Sequence, residues 1–194
     1  HDGRWTFAAL KAGATHVTGI EAKQALVNNA NATLAKYGCD SASYEFICGD
    51  VFDVLARQDL EIDVVMCLGF LYHTLRYNEL LSHVRRLDPR HLIIDTAITR
   101  LRGAPAVKVR AENADLERNA VPDAYSYGGK VLGGKPNMWG LRVMLRAYGF
   151  SIAMVADWGG LLRDNPNGEV VKVYARGERV TVRCDSDVSR PVLK

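Results

Sequence analysis

Apolar residues recur at Trp5, Ala8, Ala9 and Ala12, the spacing of one helical face, and Gly13 ends the run. His16-Val17-Thr18-Gly19-Ile20-Glu21 then reads as a short strand closing on an acid. From Ala22 to Tyr37 the alanines, with Leu26, Val27 and Leu34, predict a second helix stopped by Gly38. Tyr44 to Cys48 predict a strand running into Gly49-Asp50, and Val51 to Ala56 a short helix. Ile62 to Leu68 is the clearest strand, nearly all apolar, as expected when helices cover both faces of a parallel sheet. Tyr77 to Leu87 reads as a helix that Pro89 breaks, and His91 to Thr96 as another buried strand.

Alternating strands and helices predict an α/β fold, a doubly wound, Rossmann-like and mostly parallel sheet. The ending differs. Met138 to Tyr148 is a helix capped by Gly149, followed by Phe150 to Trp158 and Val170 to Tyr174 as strands, with Asp164 to Gly168 as a turn between them. Two late strands with no helix between them imply an antiparallel β-hairpin on the sheet's edge, its second strand extended by Arg176 to Cys184. Between Thr99 and Lys135 the pattern weakens into polar residues, Pro105, Pro122 and a glycine-rich stretch from Tyr125 to Pro136. A long irregular connection in a compact domain predicts a lid or acceptor-binding insertion over residues 100–136. No repeat or linker divides residues 1–194, which are expected to form a single domain.

Composition narrows the class. With 194 residues, 48% hydrophobic and 24% charged, the chain can bury a core without staples. Its net charge of +3 is scattered among acids, with no basic arm for nucleic acid. Cys39, Cys48, Cys67 and Cys184 form no CxxC pair, which argues against a zinc site or disulfide framework and fits a reducing cytoplasm. No apolar run approaches the roughly 20 residues that span a bilayer, and no leader is visible. The opening His1-Asp2-Gly3-Arg4-Trp5 reads like the second half of a motif, so a first strand is expected upstream of His1.

Ligands of open α/β sheets lie over the carboxyl ends of the strands. There Gly3 would let the backbone approach a ligand, Glu21 can accept bonds from both hydroxyls of a ribose, and Asp50 can accept one from an adenine amino group. Each has an ordinary alternative, a helix cap or a turn, and their joint order carries the functional reading.

His1 to Trp5, Thr18 to Glu21, Cys48 to Phe52 and Asp63 to Gly69 resemble successive motifs of class I S-adenosylmethionine-dependent methyltransferases, over almost the whole chain. The resemblance implies S-adenosylmethionine with its ribose at Glu21, its adenine near Asp50 and Val51, its methionine end by Asp2 and Gly3, and Leu68 also in contact. Leu68-Gly69-Phe70-Leu71-Tyr72-His73 and the Pro136-to-Phe150 segment are similar to tRNA wobble-uridine carboxymethyltransferases and related small-molecule enzymes. The tRNA enzymes' basic surface is not seen here, so a small-molecule acceptor is favoured over nucleic acid.

Methyl transfer from a sulfonium is an in-line displacement, so holding the acceptor and excluding water do most of the work. A hydroxyl acceptor also needs a base. His73, just past the fourth strand of the family fold, is the expected catalytic residue, against a packing histidine. Tyr72, Tyr125, Tyr127 and Trp139 are expected to line the acceptor pocket, with Lys130 beside the lid and glycine hinges for closure. Asp95 ends the fifth strand without a carboxylate partner on the fourth, so no metal is expected. His16, His83 and His91 have no evident acidic partner and read as surface or packing residues, and Arg142 and Arg146 as a solvated face. Two rivals stand beside this reading: a nicotinamide-dependent oxidoreductase, which also places an acid after its second strand, and a scaffold without turnover.

Overall fold

In the computed structural model, which describes residues 2–58, 60–114, 120–164 and 172–187, the chain forms two compact units, residues 1–59 and 60–194. In the first, strands β1 (Val17–Glu21) and β2 (Tyr44–Cys48) pair in parallel with Glu21 opposite Cys48. Helices α1 (Arg4–Lys11), α2 (Gln24–Lys36) and α3 (Val51–Arg57) complete it. Helix α2 buries Val27, Ala30 and Leu34, one stripe at helical spacing. These elements fall where the apolar periodicity places them, within two residues at each end.

In the second unit β3 (Val64–Leu68) and β4 (His91–Ala97) are parallel, with Leu68 opposite Asp95. Strand β8 (Arg179–Ser186) runs antiparallel to β4 and to β7 (Phe150–Val155), giving the order β3-β4-β8-β7. Val180, Val182 and Cys184 alternate inward along β8, and Leu92 and Ile94 do so along β4. Helix α4 (Tyr77–Arg86) buries Tyr77, Leu80, Leu81 and Val84, and α5 (Met138–Ala147) buries Leu141 and Leu145. The doubly wound α/β architecture is therefore present, with mixed pairing: β1 with β2 and β3 with β4 are parallel, and the rest antiparallel.

The late antiparallel pair is present, but β8 takes the inner place beside β4, and β7 forms the edge. The two are not joined by a simple turn. Helices α6 (Trp158–Asp164) and α7 (Lys172–Ala175) lie between them, so Lys172 to Tyr174, read as strand, are helical; residues 165–171 lie outside the described residues. A run this short has no decisive period. Tertiary contact decides it: in α7 the Tyr174 ring packs 4.8 Å from that of Trp158 and its hydroxyl reaches Asp95.

The expected irregular lid also contains regular structure. Strands β5 (Val107–Asn113) and β6 (Lys130–Pro136) pair antiparallel in their own two-stranded sheet. Gly128 and Gly129, both left-handed, turn the chain between Tyr127 and Lys130, as a two-residue hairpin turn requires. Gly133 and Gly134 are extended strand residues, and they are packing positions where the lid reading wanted hinges. A Cβ on Gly133 would stand 2.6 Å from the Tyr72 carbonyl oxygen, and one on Gly134 would meet the Tyr77 hydroxyl at 2.6 Å. That hydroxyl donates to the Gly134 carbonyl at 2.6 Å. Gly133→Ala is accordingly expected to cost about 1–3 kcal/mol, the scale for overpacking against backbone. Urea unfolding checks this, and an unchanged midpoint would mean that the strand moves off the turn without cost.

Candidate functional site

In the first unit the carboxyl ends of β1 and β2 bring Glu21 and Asp50 to the same end of adjacent strands, since the Gly49 amide donates to the Glu21 carbonyl at 3.0 Å. The Glu21 carboxylate accepts from the Lys23 amide at 3.1 Å. Asp50 is the N-cap of α3, and its Oδ1 accepts from the Phe52 amide at 2.8 Å. Val51 opens that helix, half-buried. Gly3 is the left-handed N-cap of α1, where a Cβ would come 3.0 Å from the Ala30 carbonyl. Its glycine is thus required by conformation and by packing on α2, a cause that the sequence reading did not include. Asp2 is held by the Arg4 guanidinium at 2.5–2.9 Å, a hydrogen bond that depresses the Asp2 carboxyl below its usual range.

In the second unit Leu68 ends β3, and a 3-10 turn, Leu71–His73, comes directly after it. Leu71 anchors that turn in the core, while Tyr72 and His73 remain partly accessible. Nδ1 of His73 lies 2.6 Å from Oε2 of Glu112, whose side chain is 4% exposed against 14% for the histidine. Glu112 also forms an ion pair with Arg110, its neighbour on the same face of β5. The Tyr72 ring lies 4.2 Å from that of His73. It is also approached by the Arg110 and Arg179 guanidiniums, at 5.4 and 5.3 Å.

Asp95 sits in a second network. Its Oδ1 accepts from Nε of Arg179 at 2.6 Å, and its Oδ2 from the hydroxyls of Tyr174 at 2.7 Å and Thr181 at 2.5 Å. The Trp158 indole N–H in turn donates to Thr181 at 2.9 Å. Both oxygens are committed, which makes Asp95 a structural tie between β4 and β8. Burial, then the hydrogen bond to Asp95, raises the Tyr174 hydroxyl above its usual range. Burial pushes the Cys67 and Cys184 thiols up to about 12, so both stay protonated and unreactive at neutral pH.

The other expected acceptor-lining aromatics are not gathered round His73. Tyr127 is 91% exposed at the hairpin turn, Tyr125 lies beneath the Arg76 guanidinium at 5.0 Å, and Trp139 lines a cavity of about 400 Å³ with Arg100, Arg102 and Asn137. Among the described residues no hydrogen bond or ring contact joins these three to Tyr72 or His73. Lys130 opens β6 beside the hairpin turn. Arg142 and Arg146 are exposed, as expected of a solvated face. Three histidines do have acidic neighbours: His16 lies 3.9 Å from Glu45, His83 4.0 Å from Glu79, and His91 2.9 Å from Asp185. Sequence reading missed Arg110, Glu112 and Arg179. The alternation Val107, Val109, Ala111 against Lys108, Arg110, Glu112 was the available signal for the first two. Nothing local marked Arg179.

Parallel strands with acids at their carboxyl ends and helices between them form the open α/β arrangement in which ligands lie over the strand ends. Residues 1–90 match the family model described as a methyltransferase domain. A search of curated proteins finds no match. Among solved structures, an S-adenosylmethionine-dependent methyltransferase from Mesorhizobium loti aligns at a TM-score of 0.62 and 15% identity, over 94% of this chain and 86% of that one. The N-terminal domain of EvdMO1, solved in the presence of SAH and D-fucose, aligns at 0.61 and 16%, over 95% and 71%. The [4+2]-cyclase SpnF aligns at 0.61 and 16%, over 95% and 72%. The first 90 residues thus resemble a methyltransferase domain, and the chain shares its fold with S-adenosylmethionine-dependent methyltransferases. Among the described residues no helix is long and apolar enough to cross a membrane, and no cluster of three or more His, Cys, Asp or Glu is placed to hold a metal ion.

Proposed function

We propose that this chain is an S-adenosylmethionine-dependent methyltransferase acting on a hydroxyl oxygen of a small-molecule acceptor, with His73 as the base that takes the hydroxyl proton. The observation that carries this is the position of His73. It stands just past the carboxyl end of β3, its Nδ1 is engaged by Glu112, and its Nε2 has no protein partner among the described residues. The D-fucose in the EvdMO1 structure is a hydroxyl-bearing small molecule of the class intended.

The first unit fits the cofactor. Oδ2 of Asp50 carries no hydrogen bond among the described residues, which leaves an acceptor for an adenine amino group, and Glu21 ends the adjacent strand as the ribose ligand. Val51 would give apolar contact, and Asp2 and Gly3 would lie by the methionine end. S-adenosylmethionine, when bound, supplies an electrophilic methyl group on a sulfonium. The chain's part is to bind the acceptor, to accept its proton at Nε2 of His73 and to keep water away, with Tyr72 as a wall of the acceptor site. Trp139, Tyr125 and Tyr127 are assigned to more distant parts of the acceptor.

Calorimetry with S-adenosylmethionine and with NAD tests the cofactor assignment. Glu21→Ala and Asp50→Ala are each expected to weaken S-adenosylmethionine binding by about 1.5–3 kcal/mol, the scale for hydrogen bonds involving a charged group. Unchanged affinity in both, or NAD binding in its place, would remove the assignment. Because SpnF is a cyclase of the same fold, transfer of labelled methyl to sugars, phenols or tRNA decides both turnover and acceptor class. Label on tRNA alone would overturn the small-molecule reading.

A further inference from the structure

We propose that Glu112 is the positioning residue for His73, and that the β5–β6 hairpin serves to carry it. The inference rests on the reading of His73 as the base. The carboxylate comes from β5, thirty-nine positions along the chain from the histidine, and is nearly as buried as a core residue. A buried carboxylate is costly unless each oxygen is engaged. Here one oxygen meets Nδ1 of His73 at 2.6 Å, while the other has the Arg110 guanidinium as an ion-pair partner but no hydrogen bond among the described residues.

The contact has a directional consequence. An ionised carboxylate only accepts, so it holds the ring proton on Nδ1 and leaves the lone pair on Nε2. Nε2 is then the nitrogen able to take a proton. In the transfer, an acceptor oxygen lone pair forms the new O–CH₃ bond, the C–S pair returns to sulfur, and the acceptor's hydroxyl proton moves to Nε2. The resulting imidazolium is stabilised by Glu112 without a second proton transfer. The other groups around the histidine do not compete for Nδ1. Tyr72 stacks beside the ring, Arg110 is held by Glu112, Arg179 by Asp95, and the Tyr77 hydroxyl donates to Gly134.

The hairpin is built to keep this distance. Gly133 lets β6 lie directly on the turn that carries His73, and a side chain there would push the two apart. The strand that brings Glu112 is thereby registered against the strand that touches the base, since Glu112 pairs with Val131, two residues from Gly133.

Glu112→Gln tests the assignment because it keeps the shape and reverses the hydrogen bond. The amide can donate to Nδ1 and so move the ring proton to Nε2, the wrong tautomer for a base. The expected result is a fall in kcat of at least about tenfold, with KM and S-adenosylmethionine affinity within about twofold, and no further loss in a His73→Ala background. Nitrogen-15 spectra of labelled histidine should show the Nδ1–H tautomer in the wild type and lose it in the variant. A wild type carrying the proton on Nε2 overturns the proposal even if the variant fails to fold. An Arg110→Gln variant that loses as much kcat overturns it too, by assigning the effect to the ion pair. If His73→Ala keeps full turnover, the base assignment itself falls. If it loses turnover while Glu112→Gln keeps kcat and tautomer, only the role of Glu112 falls.

Discussion

Asp95→Ala is expected to lower the stability of the fold by about 3 kcal/mol, the lower end of the range for removing one partner of a buried ion pair. Three donors lose their acceptor at once: the Arg179 guanidinium and the hydroxyls of Tyr174 and Thr181. Asp95 and Thr181 face each other directly across β4 and β8, so the loss falls on the pairing that seats β8 in the sheet. Arg179 keeps some access to water, its side chain being 23% exposed, which is why the upper end of the range is not expected. Asp95→Asn should cost less, because the amide oxygen still accepts from one donor. Urea unfolding followed by circular dichroism gives the value. A loss below about 1 kcal/mol for the alanine variant would mean that water replaces the carboxylate freely, as at exposed pairs.

His73→Ala is expected to lower kcat by about 10²- to 10⁴-fold, the usual contribution of a positioned base. Cofactor affinity should stay within about twofold, since the residues assigned to S-adenosylmethionine lie elsewhere in the chain. The size of the effect carries information on the acceptor. An alcohol is a poor nucleophile until its proton leaves, whereas an acceptor already ionised in solution needs no base. Steady-state rates at saturating acceptor make the measurement. Turnover equal to wild type on a hydroxyl acceptor would return His73 to a packing role and remove the mechanism.

Particular residues show how far the sequence could be read. Helix α2 was legible because Val27, Ala30 and Leu34 repeat at helical spacing and nothing distant is needed to bury them. Strand β3 was legible from an unbroken apolar run. Strand β5 carried the right alternation and was passed over because proline and glycine on both sides suggested a loop. Lys172 to Ala175 is a different case. Four residues hold no full period, and their helix depends on Trp158 and Asp95, which pack against Tyr174. Of the residues in the proposed roles, Glu21, Asp50 and His73 stand out in the sequence by their places at or just beyond the carboxyl end of a strand. Glu112 and Arg179 do not, because their significance lies in partners 39 and 84 positions away.

Local periodicity and strand-ending residues, read along the sequence, were enough for the α/β class, most element boundaries and the resemblance to a methyltransferase fold. Those signals are short in range, since burial of one face imposes its period on neighbouring residues and a ligand crevice selects the residue at a strand's end. The three-dimensional structure alone decided that β8 lies inside β7, that the glycine-rich stretch is a hairpin packed on the His73 turn, and that Glu112 and Asp95 each gather distant donors. Such choices turn on which buried charges find partners across the fold, and a partner brought by another strand leaves no mark on the residues beside it.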